Sequence, residues 1–77
     1  MYRVVVSYRP FAQYGNNLAF DQFITNRALK PLESSSLGPE DRMLVFLFKT
    51  KEGAEKAKKR IKATGRLLRV HVYEEKN

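Results

Sequence analysis

The residues best suited to chemistry lie together in the segment LLRVHVYE, from Leu67 to Glu74. It places Arg69, the only histidine, His71, and Tyr73 at alternate positions. Histidine with arginine could serve a metal-free ribonuclease, as general acid or base and as phosphate clamp. The same side chains could instead bind nucleic acid without cleaving it, with Tyr73 and His71 stacking on bases and Arg69 contacting phosphates.

Other catalytic or cofactor signals are weak. A single histidine does not build a typical histidine-based metal site, and there is no cysteine to supply a thiolate. Ser34, Ser35 and Ser36 have no nearby base by spacing and are typical of a turn. No glycine-rich phosphate loop occurs in the sequence. We therefore expect a binding protein rather than an enzyme, with no cofactor and no metal.

Net charge is the strongest global feature of the sequence. Fifteen Lys and Arg residues against eight Asp and Glu give a formal charge of +7 and a pI near 10.0. The electrostatic field of this net positive charge attracts polyanions. Small soluble proteins also carry net charge for solubility alone. Within one lysine-rich segment, flanked by Lys49, Lys51 and Arg66, the candidate phosphate contacts are Lys56, Lys59, Arg60 and Lys62. An alternative is a solvated helix face, whose field Glu52 and Glu55 dilute.

Length and composition set further bounds. We expect 77 residues to form one domain, 1–77, and 43% apolar content is enough for a compact core. Without cysteine there is no disulfide framework. The longest apolar run has six residues, so we expect no membrane partner and, with no secretory signal evident, a cytoplasmic location.

The first half of the chain predicts a strand and then a helix. YRVVVSY, from Tyr2 to Tyr8, has the β-branched and aromatic composition of a strand. A loop from Arg9 to Asn16 follows. Apolar residues then recur at helical spacing, at Phe20, Phe23, Ile24 and Ala28.

Capping residues predict where this first helix begins and ends. We expect Asn16 or Asn17 to cap its N-terminus and Pro31 to end it. Asp21 would then lie in the first turn, where the helix dipole favours an anion.

The middle of the chain contains one ambiguous segment and one clear strand. Leu32 to Leu37 could be a loop, or a poor edge strand that turns at Gly38-Pro39. Met43 to Thr50 is a strand by length and β-propensity.

A second helix and a last strand complete the pattern. Thr50 is placed to cap a helix from Lys51 to Thr64, and Gly65 to close it in a left-handed conformation. The helix has a thin apolar stripe, Ala54, Ala57 and Ile61. Two pairs on it, Glu52 with Lys56 and Glu55 with Lys59, are spaced to form ion pairs. Leu67 to Glu74 is the final strand.

This order predicts an α+β fold, a ferredoxin-like split β-α-β sandwich (β-α-β-β-α-β) with two helices on one face of an antiparallel sheet. The usual strand order places the last strand beside the first, the first beside the third, and the second at the edge. Side-chain alternation then leaves one face open. We expect that face to carry Arg69, His71 and Tyr73, then Arg3, Val5 and Ser7, then Met43, Val45 and Leu47.

The segment RMLVFLFKTKEGAEKAKKRI resembles the third strand and second helix of the RNA recognition motif. Phe48 matches the Phe that closes the strand, and residues 52–54 match the helix opening. That family stacks bases on sheet aromatics, whereas this chain has Met43 and Val45 at those positions and Arg42 where the family motif has glycine. The resemblance implies the fold, and none of the base-stacking residues is carried over.

Two functions follow as expectations. One is a small module that binds RNA or single-stranded DNA through a basic surface, including Arg3 with Arg69, His71 and Tyr73. The alternative is a protein-interaction module: an adaptor, an inhibitor or a sheet-face homodimer, with an acidic protein partner. Its interface would be Met43, Val45 and Leu47, unless the loop with Phe11 and Tyr14 covers them.

Overall fold

The computed structural model describes residues 1–12, 14–38, 40–65 and 68–75, with Tyr14 described by its backbone alone. Arg66 and Leu67, predicted to join the basic region and to open the last strand, lie outside the described residues, as does Pro39 of the predicted turn. The elements in chain order are β1 Tyr2–Tyr8, α1 Tyr14–Ala28, β2 Ser34–Leu37, β3 Arg42–Phe48, α2 Lys51–Lys62 and β4 Arg69–Glu74.

The strands form one antiparallel sheet in the order β2-β3-β1-β4. This confirms the predicted ferredoxin-like α+β arrangement and its strand order. Both helices cover the same face, and the core lies between that face and the helices. The largest fully buried side chains are Phe46, Ile24, Leu44, Ile61, Val4 and Val6. No helix within the described ranges is long and apolar enough to cross a membrane.

Strand register places the uncovered side chains in three rows across the sheet. Directly opposed residues of antiparallel strands share a face, so each row follows from the pairing. The rows are Tyr73–Arg3–Leu47, His71–Val5–Val45–Ser34 and Arg69–Ser7–Met43–Ser36. The predicted composition of the open face is therefore confirmed.

Local capping accounts for α2. The Thr50 side chain accepts a hydrogen bond from the Gly53 amide at 3.0 Å, as expected of an N-cap threonine. The helix ends at Lys62 rather than Thr64, and Gly65 adopts the expected positive φ of 70°. Of the two predicted pairs, Glu52 and Lys56 form an ion pair at 3.1 Å.

The start of α1 was predicted wrongly. The helix begins at Tyr14, so Gly15 lies inside it and neither Asn16 nor Asn17 caps it. Asn17 is buried, and its Oδ1 accepts a hydrogen bond from the Phe11 amide at 2.7 Å. A helical glycine costs only about 1 kcal/mol, and these contacts to the preceding loop offset that cost.

α1 ends at Ala28, before Pro31, and its C-terminus is closed by Leu29 and Arg60. Leu29 has a φ of 57°, a left-handed conformation that side-chain-bearing residues rarely adopt. From α2, Arg60 donates through Nε to the Arg27 carbonyl and through Nη2 to the Ala28 carbonyl, both at 2.9 Å. A cation is therefore fixed on the negative end of the α1 dipole.

A buried ionic network joins α1 to β1 and β3. Asp21 lies well inside the helix, not in its first turn, and is only 6% exposed. Its carboxylate accepts from Nε and Nη2 of Arg42 at 2.8 and 2.5 Å through Oδ2, and from the Tyr8 hydroxyl at 2.5 Å through Oδ1. A strand position that faces the helices thus holds an arginine because the helix supplies its counterion.

Candidate nucleic-acid interface

Four of the eight predicted nucleic-acid contacts lie together on the open face. Arg69, His71 and Tyr73 are exposed at alternate positions of β4, and Arg3 is the exposed neighbour of Tyr73 on β1. Strand alternation explains the grouping, because residues two apart in a strand point to the same side. We call these four residues the β4–β1 patch.

The β4–β1 patch combines two rings with positive charge. The ring centroids of His71 and Tyr73 are 6.1 Å apart with planes tilted by 40°, and Tyr73 is 53% exposed. Arg3 forms an ion pair with Glu75, which offsets part of its charge. Arg69, at the opposite end of the strand, is exposed and its pairing partner on β1 is the uncharged Ser7. The patch can therefore offer ring faces for stacking and, at one end, a guanidinium for a phosphate oxygen.

The other four predicted contacts lie on α2, on the opposite side of the molecule. Ala54, Ala57 and Ile61 of α2 are buried against the sheet, so the lysines project away from the open face. Lys56 is paired with Glu52, and Lys59 and Lys62 are exposed. One strand of nucleic acid lying on the sheet would not contact this helix face.

Arg60 has a structural role that was not predicted. Its guanidinium is bound to the last carbonyls of α1, so fewer of its donors are free for a phosphate. The signal was available in principle: Arg60 falls beside the apolar stripe of α2 and not at the centre of its outer face.

The predicted protein interface occupies the other half of the open face. Met43 is 40% exposed, while Val45 and Leu47 are half-buried. The alternative prediction, that the loop containing Phe11 covers these residues, is wrong for Phe11. The Phe11 ring lies 6.1 Å from Tyr8 and 5.5 Å from Phe20, on the side of the sheet that the helices cover. The apolar strand is thus left partly accessible.

The buried network was missed because β3 was predicted to begin one residue late. Arg42 has the same parity as Leu44 and Phe46, which face the helices. A cation at an inward position requires a buried partner, and that signal could have led to Asp21. Within the described part of the chain, no cluster of three or more His, Cys, Asp or Glu side chains could hold a metal ion.

Comparison with protein-family models, with curated proteins and with solved structures finds no match. The likeness of residues 42–61 to the RNA recognition motif therefore stays a prediction.

Proposed function

We propose that this protein binds single-stranded RNA or DNA through the β4–β1 patch. The observation that carries the proposal is the adjacency of His71 and Tyr73, two ring-bearing side chains that face solvent on one strand. Aromatic stacking is tolerant of sequence and contributes about 1–3 kcal/mol per base. Two bases stacked on these rings would leave the strand's phosphates within reach of Arg69 at one end and Arg3 at the other.

Electrostatics support the same proposal. The net charge of +7 raises the local concentration of any polyanion around the whole molecule. In this account α2 contributes to that long-range field, and the β4–β1 patch supplies the contacts. Affinity should then fall linearly with salt on logarithmic axes, with a slope set by the number of phosphates neutralised.

The test is fluorescence anisotropy with a labelled oligonucleotide across a salt series. Arg69→Gln and Lys59→Gln each remove one exposed positive charge, on opposite sides of the molecule. We expect Arg69→Gln to weaken binding and to reduce the salt slope by about 1, while Lys59→Gln changes affinity much less. Equal losses in both variants would refute a site on the sheet.

A second pair of variants tests stacking. Tyr73→Ala should reduce affinity by about 1–3 kcal/mol, whereas Tyr73→Phe keeps the ring and most of the binding. We expect no cleavage of the oligonucleotide by the wild type. Cleavage that His71→Ala abolishes would favour the ribonuclease hypothesis instead.

A sheet-face protein interface is the second candidate function. It is favoured by the partly accessible apolar strand, where Met43 is 40% exposed. Either a homodimer or an acidic protein partner could cover Met43, Val45 and Leu47. Leu47→Glu should then abolish association in sedimentation while the far-ultraviolet circular dichroism stays unchanged. A wild type that remains monomeric at all concentrations and captures no partner would remove this candidate.

A further inference from the structure

The outer edge of β4 is the longer of the two free edges of the sheet. β4 has six residues and pairs with β1 alone among the described strands, whereas β2, at the opposite edge, has four. An uncovered strand edge offers a row of backbone donors and acceptors to another chain.

Hydrogen-bond register shows which groups of β4 face outward. The Glu75 amide donates to the Met1 carbonyl at 2.9 Å, which places Arg69, His71 and Tyr73 in the hydrogen-bonded pairs with β1. The alternate residues, Val70, Val72 and Glu74, point their N–H and C=O groups away from the sheet. Val72 is also only half-buried although Val70 is 3% exposed, so the covered layer is incomplete at this edge.

Positive charge lies above the same edge. α2 packs over β4 and β1, and Arg60 fixes the flank of α2 that faces α1. At 3.6 residues per turn, Lys51, Lys58 and Lys62 lie roughly 160–180° from Arg60 around the helix axis. Glu55 lies roughly 140° from Arg60 and shares their flank. The flank that overhangs β4 therefore carries three cations and one carboxylate, a net positive charge.

We propose that the β4 edge binds an extended acidic segment of a partner protein, which adds to the sheet as a fifth strand. Main-chain hydrogen bonds to Val70, Val72 and Glu74 would supply affinity, and side chains of the added strand would supply specificity. Its residues opposite Val70 and Val72 point toward α2, where carboxylates meet Lys58 and Lys62. Its alternate residues lie beside the His71 and Tyr73 rings and are apolar. A second copy of this chain fits less well because two molecules of charge +7 repel.

The test uses a peptide of alternating glutamate and valine, about seven residues long so that it matches β4. Amide hydrogen exchange of the isotope-labelled protein reports the outcome residue by residue. We expect the amides of Val70, Val72 and Glu74 to become protected on peptide addition, while those of His71 and Tyr73, already bonded to β1, change little. A peptide of alternating lysine and valine should not bind.

Two changes isolate the backbone contacts. Val72→Pro removes an N–H that points away from the sheet, so no hydrogen bond within the sheet is lost. Proline is tolerated in an edge strand. We expect peptide affinity to fall about tenfold. Val72→Thr keeps the N–H and should bind as the wild type does. If Val72→Pro fails to fold, a peptide N-methylated at its glutamates removes the opposite bonds, from the peptide N–H groups to the β4 carbonyls, and should bind the wild type at least about tenfold more weakly.

Three results would overturn the proposal: equal binding of the lysine peptide, protection of β2 amides in place of those of β4, or β4 protection that grows with protein concentration without peptide, which would indicate self-pairing. These experiments contain no nucleic acid. If the peptide does not bind, the proposed nucleic-acid function is unaffected. If the oligonucleotide does not bind, the proposed peptide site is likewise unaffected.

Discussion

Replacing Asp21 by Asn removes the carboxylate that binds the buried Arg42 guanidinium. Arg42 and Asp21 are 5% and 6% exposed, and two atoms of the guanidinium bind the carboxylate. Breaking one partner of a buried pair typically costs about 3–5 kcal/mol. A domain of this length is stable by about 4–12 kcal/mol in total. Asp21→Asn should therefore remove at least a quarter of the free energy of unfolding.

Urea denaturation followed by circular dichroism at neutral pH measures this loss. Asp41→Asn is the matched control, since it removes a carboxylate from an exposed residue and should leave the midpoint nearly unchanged. The double variant Asp21→Leu with Arg42→Met replaces both charges by apolar groups and should be at least about 2 kcal/mol more stable than Asp21→Asn. A cost below about 1 kcal/mol for Asp21→Asn would refute the view that the Asp21 carboxylate stabilises the buried Arg42 charge.

Three further changes test local features of the fold. Burial, with the Asp21 hydrogen bond, raises the pKa of Tyr8. Wild-type stability should therefore fall as pH rises above about 10, because only the unfolded state releases the proton there, and Tyr8→Phe should lack this component in alkaline urea melts. Leu29→Gly should stabilise by about 0.5–1 kcal/mol by relieving the left-handed strain, measured as a rise in melting temperature, whereas Leu29→Ala should not. Arg60→Met should lower the free energy of unfolding by about 1 kcal/mol, because its hydrogen bonds to α1 are lost. Urea melts measure this loss, and the control Lys59→Met should have no measurable effect.

Elements with strong local signals were predictable from sequence. β1 was predicted with its observed bounds because its β-branched run stops before Pro10. Thr50 and Gly65 predicted the two ends of α2. The alternation of side chains along the strands then predicted which residues lie on the open face. These features depend on residues near one another in sequence, so tertiary contacts did not override them.

Features set by long-range contacts were not predictable in the same way. The start of α1 depends on Asn17 binding Phe11, and its end depends on Arg60 reaching from α2. The separation of the basic residues is of this kind as well. The sequence predicted that Arg69 and Lys59 belong to one basic surface. In the structure Arg69 lies on the open face of the sheet, and Lys59 lies on α2, which covers the opposite face.

The most direct test of the account is a map of amide and side-chain chemical shifts on adding a short single-stranded oligonucleotide at low salt. We expect the largest shifts at the β4–β1 patch, with smaller changes along α2. The patch residues are Arg3, Arg69, His71 and Tyr73. Shifts confined to Lys51–Lys62, with the β4–β1 patch unperturbed, would contradict this expectation.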